Sequence, residues 1–274
     1  MTQPAIVVVF SDIHVNSTAG LLPPKVKRDD GSTHLANKGQ RWLWRTYLAL
    51  WAYVAERKQQ LGARVIVVFN GDGPDRNKYS GGYDLIVVSR ADIVRWTVDV
   101  LKPARAVADT FVVNRGTEAH EGGTGELSEL VAQQMDTLPS PEGSSSWWWP
   151  LLDIEGVRFV FGHRPVSNST REHLFGAGAL RTSAELEAAY HRMGDRVPDV
   201  GVFSHVHHPA DSGMNRRMRV LYTPPWKLCD SYGHSSGYGG RTQPVGAWEI
   251  LVEDDEYTVK LWKRQPPAVK AVKV

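Results

Sequence analysis

The run AIVVVF at residues 5–10, followed without a break by Ser11-Asp12-Ile13-His14, decides how the rest of the chain is read. Six apolar residues with no polar alternation describe a strand covered on both faces. Four later runs have the same character: VIVVF at 65–69, TFVVN at 110–114, VRFVF at 157–161 and VGVF at 200–203. Between the first two, Trp44, Leu48, Trp51 and Ala55 recur at helical spacing over 40–61. A second helix is predicted over 86–101, with Ile93, Trp96 and Val100 on one face before Pro103. A third follows Glu126, carrying Leu127, Leu130, Val131 and Leu138. Thr182-x-x-Glu185 has the form of a capping box and is expected to start a fourth, which Gly194 ends. Strand and helix in alternation give an α/β layered fold.

The C-terminal third reads as β structure at 219–224, 246–253 and 257–263. The last two runs are joined by Asp254-Asp255-Glu256 as a hairpin. Polar connections at 17–39, 140–146 and 231–243 are too long for plain turns and are expected to cover a site or move. No repeat or linker divides the chain. One domain is expected over 1–265, with a frayed basic tail at 266–274.

Composition excludes more than it assigns. Among 274 residues, 32 Lys and Arg face 30 Asp and Glu, a net charge of +2 that is too even for a nucleic-acid-coating or membrane-surface protein. A lone cysteine, Cys229, precludes an internal disulfide and fits a reducing compartment. No apolar run approaches a membrane span, and the first residues lack the layout of a signal peptide, so a cytoplasmic location is expected. Ten histidines and ten tryptophans stand out, including Trp147-Trp148-Trp149, which cannot all face one way. One of the three is expected in the core, and base stacking is open to the others.

Each apolar run ends in residues that ligate metals or carry protons. These are Asp12-x-His14, then Asn70-Gly71-Asp72 with Asp75 beyond, then Asn114-Arg115-Gly116-Thr117-Glu118-Ala119-His120, then Gly162-His163-Arg164, and last His205-x-His207. In open α/β sheets the C-terminal edge of the strands is where ligands bind. Two residues apart on an extended segment, the donors of Asp-x-His and His-x-His project to one side. Together with Asp72 and His163 they make six O/N donors, too many for one tetrahedral zinc and suited to two divalent ions. A single histidine at a strand end is usually surface or hydrogen-bonded; the ordered series is what carries the reading.

This series resembles the calcineurin-like metallophosphoesterases over residues 12–207. The resemblance implies a four-layer α/β/β/α sandwich with two central mixed sheets. It also implies hydrolysis of phosphate esters by water activated at two divalent metals, with Mn foremost and Fe, Zn, Ni or Mg as alternatives. On that pattern Asp12, His14 and His207 hold one metal, His163 and His205 the other, and Asp72 bridges. The third element departs from the family's Gly-Asn-His and is similar to phage- and prophage-type members, for which the location would be the host cytoplasm. There Thr117 or Glu118 either binds a metal or supports one that does, and His120 takes the catalytic place. Asn70 and Asp75 are expected to orient ligands. Arg115, Arg164 and a rim-lining Trp226 are candidate substrate contacts. A phosphodiester, nucleic acid or nucleotide, is the preferred substrate. A phosphomonoester, a phosphoprotein, or a non-catalytic binding role on the same fold are the alternatives. The oligomeric state is left open.

Overall fold

The apolar runs form strands, in chain order with elements that the sequence pattern does not single out. The computed structural model describes residues 3–76, 84–168, 172–214, 216–235 and 243–267. The first part of the chain contains β1 (Ala5–Phe10), β2 (Lys25–Lys27), β3 (Thr33–Leu35), α1 (Lys38–Leu61), β4 (Arg64–Asn70), α2 (Arg90–Val107) and β5 (Thr110–Asn114). Next come α3 (Glu118–Glu121), α4 (Glu126–Ala132), β6 (Leu151–Ile154), β7 (Val157–Gly162), α5 (Phe175–Met193) and β8 (Val200–Phe203). The chain continues through β9 (Ala210–Asp211), β10 (Arg219–Tyr222), α6 (Ser231–Ser235), β11 (Val245–Glu253) and β12 (Glu256–Arg264).

Two five-stranded mixed sheets result, in the orders β12-β11-β1-β4-β5 and β6-β7-β8-β10-β9. Strands β1, β4 and β5 run parallel, as do β7, β8 and β10, and the antiparallel strands lie at the flanks. Alternate residues of each strand separate the cores. Val7, Val9, Ile66 and Val68 meet Phe159, Phe161, Val200 and Val202 between the sheets. Ile6, Val8 and Phe10 instead pack beneath α1, α2 and α4, and Val160, Phe203 and Val220 beneath α5. The expected four layers, helices outside two facing sheets, are therefore present.

Local chemistry explains the boundaries. Asn37 and Gln40 form a reciprocal capping box at the start of α1, and Gly62 ends it in the left-handed conformation. Ser89 caps α2, which then continues through Pro103 to Val107 instead of stopping. The proline removes one amide from the helix ladder, leaving the carbonyl of Asp99 without its partner in the helix. Thr182 does not start a helix: α5 begins at Phe175, and the Thr182 hydroxyl is held across the layer by Tyr222 Oη at 2.8 Å. The segment 17–39, expected to cover a site or move, contains the β2–β3 hairpin. Strands β11 and β12 are joined by Asp254 and Asp255, both at positive φ (50° and 63°), as a two-residue hairpin turn requires. Within 231–243, residues 236–242 lie outside the described residues, as does the tail from 268.

Trp226 is a clear correction. Expected at the site rim, it is fully buried, edge-on to Tyr47 at 5.1 Å and stacked with Trp262 at 6.3 Å. Of the three consecutive tryptophans, Trp147 packs on the inter-sheet core, Trp149 rests against Phe203, and Trp148 is exposed beneath Arg115. Arg115 is bound into the fold. Its guanidinium donates to Ser146 Oγ (2.8 Å), the Thr124 carbonyl (3.2 Å) and Glu129 (3.3 Å).

Glu129 fastens the loop that carries these tryptophans, accepting from the Ser145 amide at 3.0 Å and from the Ser146 amide at 2.9 Å. Burial alone would raise its pKa, but the Ser146 hydroxyl and the two amides outweigh it and bring it from 4.5 down to about 2. A depressed carboxylate stabilises the fold above its unfolded pKa and loses that contribution as the pH falls towards 2. Glu129→Gln is therefore expected to lower Tm by a few degrees at pH 7. The gap to wild type should close on acidification from pH 5 to pH 3, as read by thermal melts. A gap that stays constant across that range would show that the charge on Glu129 is not what fastens the loop.

Candidate metal centre

The parallel strands of both sheets end at one edge, and for five of the six, β7 with Gly162 and His163 excepted, the residue that closes or follows the strand is a buried serine, threonine or asparagine: Ser11, Asn70, Asn114, Ser204 and Thr223. Left unpaired, these groups would each cost stability, but they satisfy one another. Asn114 Nδ2 donates to Asn70 Oδ1 (2.8 Å), and Asn70 Nδ2 to Ser204 Oγ (2.7 Å) and the Gly162 carbonyl (3.0 Å). Thr223 Oγ1 donates to Ser204 (2.8 Å) and lies 2.6 Å from Ser11 Oγ, which reaches Asp12 Oδ2 at 2.5 Å. One hydrogen-bonded chain thus ties five strand ends from both sheets to a carboxylate.

On this base the loops carry the ligating side chains. The segment after β1 runs beside that after β4, with the Asp12 amide on the Gly71 carbonyl (3.0 Å) and the His14 amide on the Asp72 carbonyl (3.1 Å). Asp12, His14, Asp72, His205 and His207 all have positive φ, between 43° and 70°. They therefore do not converge by strand alternation. Each sits in the left-handed region, at about 1–3 kcal/mol of backbone cost, which surrounding contacts must hold in place. His205 and His207 point into different groups. Gly71 is required by its φ of 86° and by crowding, since a Cβ there would lie 2.6 Å from His163 Nδ1. At Gly116 a Cβ would meet the Asp72 amide nitrogen and Oδ1 at 2.3 Å.

Three groups of side chains have ligand atoms within 4.8 Å of one another: Asp12, His14 and His207; Asp72, His163 and His205; and His14, Asp72 and His120. The third links the first two through Asp72 and His14. Two donors on one cation at about 2.1 Å lie at most about 4.2 Å apart, and Asp12 Oδ1 lies 3.8 Å from His14 Nε2 and 3.2 Å from His207 Nε2. His163 Nδ1 faces the Asn70 carbonyl at 2.7 Å, so it carries the hydrogen and leaves Nε2 as a lone-pair donor. Asp75 does the same for two imidazoles, with Oδ2 3.2 Å from His14 Nδ1 and Oδ1 2.9 Å from His120 Nδ1. A carboxylate or carbonyl fixing the far nitrogen of a histidine is the usual support of a metal ligand. Asp12 Oδ1 and His163 Nε2 are buried without a hydrogen-bond partner, and His14 Nε2 faces His207 Nε2 at 3.2 Å. Orphaned lone pairs aimed at one another are what a cation would satisfy, so the donor set fits divalent metals.

The same crowding of donors shifts their titration. Burial would raise the Asp72 carboxyl pKa, but the neighbouring His163 and His120 charges hold it well below the carboxylate range. Asp12 is held low against burial by His207, and Asp75 by His120 and His14. His163 is opposed by burial yet pushed up to about 10 by Asp72, 3.0 Å away. A metal at this position must displace that proton. His120 is also raised, because Asp72 and Asp75 outweigh its burial.

Thr117 supports Asp72, its amide and hydroxyl donating to Oδ1 at 2.7 and 2.9 Å. Glu118 is exposed and belongs to none of the three groups, and Arg164 is exposed beside His163. The neighbouring Glu121, which the sequence reading passes over, is the buried one. Its carboxylate accepts from the Gly73 amide (3.0 Å), the Gly116 amide (2.8 Å) and Ser128 Oγ (2.5 Å). It joins the loop that carries Asp72 to the loop that carries Thr117. Burial first, and then the Asp72 charge, lift its pKa to about 7. A four-residue helix has too few residues for periodicity to separate Glu118 from Glu121.

No protein-family model matches the chain, and no curated protein is similar to it in sequence. Among solved structures it is similar to Vps29 from Chaetomium thermophilum, at 10% identity over 95% of this chain and 97% of that one, with a TM-score of 0.40. A dimetal phosphatase from Danio rerio is similar at 10% identity over 93% and 95%, TM-score 0.40. A 5'-nucleotidase from Candida albicans is similar at 10% identity, TM-score 0.40, over 92% of this chain but 47% of that one. Among the described residues no helix is long and apolar enough to cross a membrane.

Proposed function

We propose that the chain hydrolyses phosphate esters at a pair of divalent cations, one held by Asp12, His14 and His207 and the other by His163 and His205, with Asp72 shared. The observation that carries this reading is the pair of linked donor groups with unpartnered, buried Asp12 Oδ1 and His163 Nε2 between them. Bound there, the cations would supply positive charge to the phosphoryl oxygens and acidify water. Asp75 and the Asn70 carbonyl fix the imidazole tautomers, and Thr117 with Glu121 fixes Asp72. His120, anchored through Nδ1 on Asp75 and with Nε2 4.0 Å from Asp72 Oδ2, would give a proton to the leaving oxygen. A preference for phosphodiesters is supported by the sequence resemblance alone, as is manganese.

Protein purified without chelators is expected to contain close to two transition-metal ions per chain by elemental analysis. It should hydrolyse bis- or mono-p-nitrophenyl phosphate with added Mn and lose that activity in EDTA. The ratio of the two rates decides between diester and monoester. Protein that carries no metal, takes none up and cleaves neither ester would point to a binding protein on this fold instead.

A further inference from the structure

The two oxygens of Asp12 meet different surroundings. Oδ2 accepts from the Ser11 hydroxyl at 2.5 Å and from the His205 amide at 3.2 Å. Oδ1 has no hydrogen-bond partner and faces only imidazole nitrogens, with His207 Nε2 at 3.2 Å, His14 Nε2 at 3.8 Å and His163 Nε2 at 4.0 Å. Asp72 is divided in a similar way. Its Oδ1 takes the shorter bonds from the Thr117 amide and hydroxyl, with the hydroxyl 3.3 Å from Oδ2, and Oδ2 lies 3.0 Å from His163 Nε2. An oxygen whose lone pairs already accept protein hydrogens has little left for a cation, so these donors decide which oxygen ligates.

For Asp12 the control falls to Ser11, a residue outside all three donor groups. Rotation about the last side-chain bond of an aspartate exchanges its two oxygens, and the Ser11 and His205 bonds oppose that exchange. Ser11 is itself prevented from turning away. Its backbone bridges to Pro225, and Thr223 Oγ1 lies 2.6 Å from its hydroxyl oxygen on the side away from the carboxylate. Thr223 in turn meets Ser204 at 2.8 Å, and Ser204 meets Asn70 at 2.7 Å. All four are fully buried, so water does not compete for these bonds. A hydroxyl on a charged acceptor is among the stronger hydrogen bonds of a folded chain. We infer that Ser11 is a positioning residue of the metal centre: by occupying Oδ2 it confines Asp12 to ligation through Oδ1, and Thr223 holds the hydroxyl to that task. The inference rests on the dinuclear reading above and needs none of its ester chemistry.

Titration of Mn into metal-free protein, in competition with a fluorescent chelator, tests this on wild type, Ser11→Ala, Thr223→Val and Thr223→Ser. Circular dichroism reads the fold of each separately. Ser11→Ala is expected to weaken one of the two stepwise affinities about tenfold or more and to leave the other within about twofold. Thr223→Val, nearly the same in shape, should show a smaller loss in the same step, and Thr223→Ser, which restores the hydroxyl, should return to the wild-type value. A merely structural role would lower both steps together and would not follow the hydroxyl. If Ser11→Ala does not fold, the contrast between the two Thr223 variants carries the test. Both affinities unchanged in a folded Ser11→Ala, an equal loss in both steps, or Thr223→Val and Thr223→Ser alike would each overturn the inference. A wild type that takes up no Mn ends the dinuclear reading and the inference with it. Two ions bound with the same affinities in Ser11→Ala end the inference alone. Ser11-dependent uptake by a protein that cleaves no phosphate ester keeps the inference and ends the phosphoesterase reading.

Discussion

Asp72→Asn is expected to cut bound metal to one ion per chain or fewer and to reduce Mn-dependent phosphoesterase activity by about 10³-fold or more. Changes to residues that only support a metal ligand typically cost about 10–100-fold, and Asp72 is itself shared between two donor groups. Asparagine is a stringent replacement here. It accepts the left-handed backbone that Asp72 adopts at φ 51°, and it keeps one oxygen for the Thr117 amide and hydroxyl. What it removes is the negative charge, 3.0 Å from His163 Nε2, that a cation would meet there. Elemental analysis and steady-state rates on p-nitrophenyl esters read the two effects separately. Full metal content with undiminished activity would remove Asp72 from the centre and end the two-metal reading. Loss of metal together with a fold still intact by circular dichroism is the outcome that supports it.

How much of this centre could be read beforehand follows from where side-chain identity alone decides the outcome. The strands were legible because runs such as 65–69 and 157–161 are apolar on both faces and stop abruptly at polar residues, and the register puts those stops at one edge. The donors at positions 12, 14, 72, 163, 205 and 207 were legible for the same reason. Their mode of convergence was not. Strand alternation would have sent His205 and His207 to one side, whereas positive φ at both directs them to different groups, and aspartate and histidine tolerate that region without announcing it. Thr182-x-x-Glu185 misled because a buried threonine bonded to Tyr222 has the same local pattern as a cap. Trp226 misled because a tryptophan after two prolines looks like a surface loop until Tyr47 and Trp262, distant in sequence, are brought against it. Glu121 is an ordinary charged residue in sequence. Only burial against particular partners makes it unusual.

Glu121→Ala is the change outside the donor set expected to cost most. The glutamate is fully buried and receives two backbone amides and a hydroxyl; its deletion leaves all three without that acceptor. At about 1–3 kcal/mol for each buried group left unpaired, partly offset by removing a carboxylate that burial and Asp72 both disfavour, a net loss of about 3–5 kcal/mol is expected. For a chain of this size that lowers Tm by roughly 10 °C. The loss should also reach the metal, because Gly73 and Gly116 flank Asp72 and Thr117, and slackening both loops frees the carboxylate those residues hold. Metal affinity is expected to fall about 10–100-fold in competition with a fluorescent chelator. Glu121→Gln separates the two effects. It keeps the volume and removes the charge, but its amide nitrogen cannot accept from one of the two backbone donors, so it should be intermediate in Tm and in metal affinity. A Glu121→Ala protein that melts lower but binds metal as tightly as wild type would show that Asp72 is placed by Thr117 and its own backbone, and that Glu121 serves the fold alone.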